Sequence, residues 1–133
     1  MATIFQRSGK KRRAAFNYDD TPETKTKKAV KNHLETMFGR HIFILPIAGG
    51  QYQKSGSPDW IVSLRGKFVA MEIKAFKEFG GRPRLGDKQK EMLEDIKFAG
   101  AVAGVVDSWE ALAELVKDFE PVQKCIFQTG GKL

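Results

Sequence analysis

Cysteine is almost missing from this chain. Cys125 stands alone among 133 residues. A single thiol excludes an internal disulfide and a cysteine-rich zinc site, and it fits a reducing, cytoplasmic compartment. Histidine is nearly as scarce: His33 falls on a predicted helix and His41 at the head of a predicted strand, so no pair of imidazoles suggests a metal centre. No apolar run approaches the ~20 residues that span a bilayer. The opening Met1-Ala2-Thr3-Ile4-Phe5 lacks the long apolar stretch of a secretory leader. The loop Ala48-Gly49-Gly50-Gln51-Tyr52-Gln53-Lys54-Ser55-Gly56 is rich in glycine but lacks the Gly-Lys-Ser/Thr ending of a nucleotide-binding loop. Acids are absent before Asp19, while Arg7, Lys10, Lys11, Arg12 and Arg13 crowd into the same stretch.

What is present describes one globular unit. Hydrophobic residues make up 41% of the chain, too many for general disorder, and the length suits one domain with its own core. The formal charge is +7 and the isoelectric point about 9.6. That balance points to a polyanionic partner, nucleic acid ahead of an anionic membrane surface. No internal repeat and no linker interrupts the chain.

The elements follow from punctuation and periodicity. Residues 1–20 form a basic arm suited to phosphate contacts. Thr21 and Pro22 read as the cap and first position of a helix that runs to about Phe38 and ends at Gly39. Its apolar stripe is Val30, Leu34, Met37 and Phe38. Seven residues before Val30, Glu23 falls on the same stripe, which points it at the sheet. A first-turn acid that complements the helix dipole is the plainer reading of the same residue. His41 to Leu45 is a continuous apolar run, the form of a strand buried on both faces. A second helix is expected over Asp87 to Ala99, with Gln89, Met92, Leu93 and Ile96 inward. An inward Gln near a helix start needs partners, either loop backbone or a site. Ala101 to Val106 reads as a strand near the centre of the sheet, with Ala103 and Gly104 leaving room for a helix. Asp107 and Glu110 form a capping-box pattern for a last helix that buries Trp109, Leu112, Ala113, Val116 and Phe119. Cys125-Ile126-Phe127 is a candidate edge strand.

The chemistry concentrates in Pro58 to Lys74. Two β-rich arms flank Arg65-Gly66. Pairing must bring the apolar faces together, because a one-residue slip would turn a whole strand over. The register that does so pairs Leu64 with Lys67, Val62 with Val69 and Trp60 with Met71, and it sets Asp59 opposite Glu72. Arg-Gly is not the favoured two-residue turn, so a bulge is the competing arrangement. Opposed carboxylates repel and need a cation or a proton between them. Lys74 follows on the same face as Glu72. Hard oxygen donors for a divalent ion, with an amine beside them, suit metal-assisted phosphodiester hydrolysis. Past Lys74 comes a loop with Lys77, Arg82 and Arg84, a candidate clamp on the DNA backbone. Lys54 is a further candidate phosphate contact.

The order helix, strand, strand, strand, helix, strand, carrying Pro58-Asp59 and then Glu72-Ile73-Lys74, resembles the PD-(D/E)xK nuclease superfamily. More narrowly it is similar to the virus-type replication-repair nuclease (VRR-NUC) domain, found in phages and in eukaryotic DNA-repair nucleases. Glu23, Gly56, Gln89 and Gly100 also match, and the likeness covers roughly Pro22 to Val116. It implies an α/β, restriction-endonuclease-like core, a mixed sheet flanked by helices. The nuclease domain would occupy residues 21–120, with residues 1–20 as the arm and 121–133 as a C-terminal extension. The resemblance implies that Asp59, Glu72 and the Ile73 carbonyl hold Mg²⁺ or Mn²⁺, with Glu23 joining directly or through a water. Lys74 would orient the attacking water, and Gln89 would hold Lys74 in place. The implied partners are DNA, with branched or four-way junctions preferred, and a second copy of the chain; no organic cofactor and no membrane is implied. A non-catalytic DNA-binding domain on the same fold, a flap or duplex nuclease, and a sequence-specific nuclease are the alternatives. The complete set Asp59, Glu72 and Lys74 favours a structure-selective endonuclease.

Overall fold

The computed structural model describes residues 20–48 and 55–122. Lys10, Lys11, Arg12, Arg13, Lys54 and the strand expected at Cys125-Ile126-Phe127 lie outside the described residues. Helix α1 spans Pro22–Phe38. The Thr21 hydroxyl accepts the Thr24 N–H at 3.2 Å, Pro22 gives up no amide that a helix would use, and Gly39 turns the chain out at φ 54°. A short 3₁₀ turn, Gly39–His41, leads into β1, Ile42–Pro46. Strands β2, Trp60–Leu64, and β3, Lys67–Ile73, form the expected hairpin. Helix α2, Asp87–Phe98, crosses to β4, Val102–Val106, and α3, Trp109–Leu115, follows.

The sheet order is β1-β2-β3-β4. β1, β2 and β3 run antiparallel, and β4 lies parallel to β3 through the α2 crossover. The hairpin register is the one that facial matching requires: Trp60 with Met71, Val62 with Val69 and Leu64 with Lys67. Arg65 (φ 51°) and Gly66 (φ 85°) both adopt the left-handed backbone of a type I′ turn. Arg65 bears the strain that asparagine would avoid, because the burial of six apolar side chains decides the register.

Those six, Trp60, Val62, Leu64, Val69, Met71 and Ile73, pack against Val30, Leu34 and Phe38 of α1 and against Leu112 and Val116. On the other face α2 sets Leu93 over Ala70 and Ala103. α3 approaches closely at Gly104, where a Cβ would meet Leu115 Cδ1 at 2.9 Å and the leucine would have to shift.

Four expectations change. β1 is not buried on both faces: it lies at a sheet edge, and Phe43 and Leu45 are 66% and 49% exposed. α2 packs over β3 and β4, with Ile61 of β2 at its margin, and leaves Phe43 and Leu45 of β1 bare; Pro46 suits an edge. β4 is not central among the described strands. It is terminal, and Ala103 and Val106 are buried in it because α2 and α3 close over its two faces. The cap of α3 is Ser108, whose hydroxyl accepts the Ala111 N–H at 3.1 Å, one residue past Asp107. Ala113 is exposed, because the short helix turns only Leu112 and the following Val116 fully inward. No helix among the described residues is long and apolar enough to cross a membrane.

Candidate active site

The hairpin register extends one step past β2 and brings Asp59 to Glu72. Pro58 is buried and fixes the backbone just before Asp59. The Asp59 carbonyl accepts the Ile47 N–H at 2.7 Å, which ties the same point to β1. Gly56 holds the approach from the other side. It sits at φ 85°, and a Cβ there would lie 2.6 Å from the Lys88 carbonyl oxygen, so only glycine lets this loop rest on the first turn of α2.

Asp59 Oδ2 accepts the Ile73 N–H at 2.8 Å. Glu72, with a side chain 4% exposed, lies under Gln89. Gln89 Nε2 donates to Glu72 Oε2 at 2.7 Å, and Gln89 Oε1 accepts from Lys74 Nζ at 3.0 Å and from the Gly86 N–H at 3.0 Å. Lys74 Nζ stands 3.2 Å from Glu72 Oε2. The inward glutamine therefore serves both readings offered for it: it caps the start of α2, and it joins the acid to the amine. Burial first, and then the facing Asp59 carboxylate, push the Glu72 carboxyl up to about 7, against the pull of Lys74.

Glu23 is not turned onto the sheet. Its side chain is 58% exposed, and its carboxylate is bound by Lys27 Nζ at 2.9 Å. The residue does fall on the azimuth of the apolar stripe, but the helix start stands beyond the strands. Thr26, one turn in, is already at their end: its hydroxyl accepts the Phe76 N–H at 2.9 Å and donates to the Pro22 carbonyl at 2.8 Å. Lys27 Nζ also reaches Asp59 Oδ1 at 3.4 Å. Burial lowers the basicity of this amine, but Glu23 and Asp59 outweigh it and the net displacement is upward. Sequence reasoning does not single out Thr26 or Lys27. The only signals for them are a threonine four residues before Val30 and a lysine four residues after Glu23.

Lys77, Arg82 and Arg84 are exposed on the segment that leaves β3, and none enters an ion pair among the described residues. Buried Phe76 anchors that segment by packing edge-on to Trp109. A hollow of about 500 Å³ lined by Phe76, Lys77, Pro83 and Trp109 opens beside it, and neither site carboxylate lines it. The His33 ring packs against Trp109 at a tilt of 59°, with centroids 5.1 Å apart.

A solved structure described as a VRR_NUC domain superposes on this chain with a TM-score of 0.58 and 23% identity, over 74% of this chain and 98% of that one. The chain has the VRR_NUC fold. Neither a family model nor a curated protein matches the sequence. In this VRR_NUC fold the carboxylates sit where the hairpin ends meet the starts of α1 and α2. Among the described residues no group of three His, Cys, Asp or Glu side chains gathers as a metal cluster. The donor set is two carboxylates, both oxygen and both acidic. Burial of Glu72 and its repulsion by Asp59, the two causes that raise Glu72, are what a hard divalent ion would relieve, and an ion such as Mg²⁺ fills its remaining positions with water.

Proposed function

We propose that the chain is a metal-dependent, structure-selective DNA endonuclease of the VRR-NUC kind. The observation that carries this reading is the buried Glu72 opposite Asp59, with Lys74 fixed between Glu72 and Gln89. A structural ion pair would need no second carboxylate and no shared glutamine. The VRR_NUC fold and the charge of +7 support the same reading.

Asp59, Glu72 and the Ile73 carbonyl would hold Mg²⁺ or Mn²⁺. The ion, when bound, would supply Lewis-acid polarisation of the scissile phosphate. Lys74 orients the attacking water and offsets charge that builds on the phosphate, and Gln89 positions Lys74. Glu23, at the rim, completes the acidic set. The water oxygen forms a bond to phosphorus as the bond to the 3′ oxygen breaks. That oxygen takes up a proton and leaves a 3′-hydroxyl and a 5′-phosphate. Lys77, Arg82 and Arg84 would track the DNA backbone, and the basic arm with Lys10, Lys11, Arg12 and Arg13, together with Lys54, would extend that contact. The proposed substrate is branched DNA, the four-way junction first, cut by a homodimer whose two-fold axis matches the symmetry of the junction.

The experiment is cleavage of linear duplex, flap and four-way junction DNA with Mg²⁺, with Mn²⁺ and with chelator. Expected are metal-dependent nicks that are fastest on the junction and lost in Lys74→Ala. Binding without cleavage under every metal condition would reduce the chain to a DNA-binding domain.

A further inference from the structure

Helix α1 carries Lys25, Lys27, Lys28 and Lys31. Three of them are exposed, and Lys28 and Lys31 pair with surface acids of their own neighbourhood, Asp20 and Glu35. Lys27 differs. It reaches across 32 positions of sequence to Asp59 while holding Glu23, and its side chain is only 31% exposed. Of the two Asp59 oxygens, Oδ2 is occupied by the Ile73 N–H, and Oδ1 faces the Lys27 ammonium.

We propose that Lys27 is a resident counter-cation that competes with divalent ions for Asp59 Oδ1 and Glu23, so that the site takes one divalent ion rather than two. This rests on the metal-nuclease reading above. An oxygen that ligates Mg²⁺ sits roughly 2.0–2.1 Å from the ion, and an ammonium beside that same oxygen repels the incoming charge. The charge count agrees. With Glu72 ionised, the form that an ion would bind, Glu23, Asp59 and Glu72 supply three negative charges, and Lys27 and Lys74 supply two positive ones. One divalent ion turns the resulting −1 into +1, enough to receive a phosphate. A second ion would have to displace Lys27 from the acids it bridges. Lys27 thus occupies the Glu23 side of Asp59, and the shared ion belongs on the Glu72 side. A purely structural i,i+4 pair accounts for the bond to Glu23 but not for the reach to Asp59.

The test is isothermal titration of Mn²⁺ into the full chain without DNA, for wild type, Lys27→Met, Lys27→Arg and Lys31→Met. Expected are one ion per wild-type chain, affinity raised about tenfold in Lys27→Met through loss of one repelling charge, and a second ion appearing at higher Mn²⁺ in that variant alone. Lys27→Arg, which keeps the charge, and Lys31→Met, on the wet side of the helix, should titrate like wild type. Circular dichroism establishes that each variant is folded. Should Lys27→Met misfold, Glu23→Gln supplies the second arm: it leaves Lys27 to Asp59 alone and should weaken Mn²⁺ binding. Equal affinity and stoichiometry in Lys27→Met and wild type would overturn the inference while leaving the nuclease reading intact. Absence of Mn²⁺ binding in wild type would overturn both.

Discussion

Asp59 and Glu72 face one another from adjacent strands, but the protein surrounds them differently. On the Glu72 side the acid is 4% exposed and Lys74 19%, and Gln89 bonds to both. On the Asp59 side the acid is 24% exposed, Lys27 is 31% exposed and Glu23 58%. One side is dry and fixed by hydrogen bonds, and the other is wet and held by charge. Each has an amine within 3.4 Å of its acid. An amine in a closed network can be aimed at a reacting atom, whereas one in a hydrated ion pair mainly sets local charge.

The largest effect should come from removing the fixed groups. Lys74→Ala should lower cleavage by roughly 10³-fold or more while DNA binding persists, and Asp59→Ala should do the same because it removes the shared oxygen donors. Single-turnover cleavage with a parallel binding assay checks both. Retained cutting by either purified variant would remove that residue from the site.

Next in size is a pH effect confined to the dry side. Glu72 is raised from 4.5 to about 7 by burial and by Asp59. Below pH 4.5 folded and unfolded chains both carry the proton, and the group is silent. Between 4.5 and 7 the folded chain holds more proton than the unfolded one, so stability falls as pH rises, by about 3 kcal/mol in all. Glu72→Gln should lack this slope and gain on wild type across that window. Urea unfolding in chelator from pH 4 to 8 reads it. An excess of Mg²⁺ should shrink the difference by stabilising the ionised pair. Parallel pH curves for the two proteins would contradict the burial argument.

Gln89→Ala should come third, with cleavage down ~10–100-fold, as is typical when a group that orients a ligand is removed. The acid and the amine both survive in that variant, but they are no longer joined and the cap on the Gly86 N–H is lost, so urea unfolding of the variant separates loss of orientation from loss of stability.

Much of the dry side is legible in the sequence, and the reason is periodicity. Strand alternation puts Glu72 and Lys74 on one face, apolar matching sets Asp59 across from Glu72, and the 3.6-residue repeat turns Gln89 inward. Each of these rests on short-range geometry plus one buried face. The wet side is not legible to the same degree. Periodicity gives the azimuth of Glu23 but not where the helix start stands relative to the strand ends, and that alone decides exposure. Lys27 looks like one of four solvent-facing lysines, since nothing local marks which one reaches Asp59. The same limit applies to β1. A run such as Ile42-Phe43-Ile44-Leu45 reads alike whether or not a helix covers its second face, and the length of α2 settles the matter. Conversely, Ser108 and Asp107 are both good caps, and one residue of strand length chooses between them.

Smaller effects are expected from the exposed loop. Arg82→Ala with Arg84→Ala should weaken binding to every DNA about equally and reduce the salt slope of log K by about two, one for each phosphate that is no longer neutralised. An unchanged slope would take both residues out of the interface. Cleavage at saturating DNA should fall far less than in Lys74→Ala, because neither guanidinium belongs to the carboxylate network.

The smallest expected change isolates the contrast most cleanly, because it repeats one substitution on the opposite side. Glu23→Gln removes a carboxylate that is more than half exposed and paired with Lys27 four residues on. Such pairs contribute roughly 0.3–0.5 kcal/mol and weaken with salt. The variant should therefore lose no more than about that much stability in low salt and almost nothing in concentrated NaCl. Glu72→Gln should instead gain stability at neutral pH, with little dependence on salt, since its partners are shielded from solvent. Two Glu→Gln changes flanking the same Asp59 would thus differ in sign and in salt response. If they moved stability in the same direction with the same salt dependence, the distinction between a dry and a wet side of the site would fail, and Lys27 and Lys74 would have to be treated as equivalent amines.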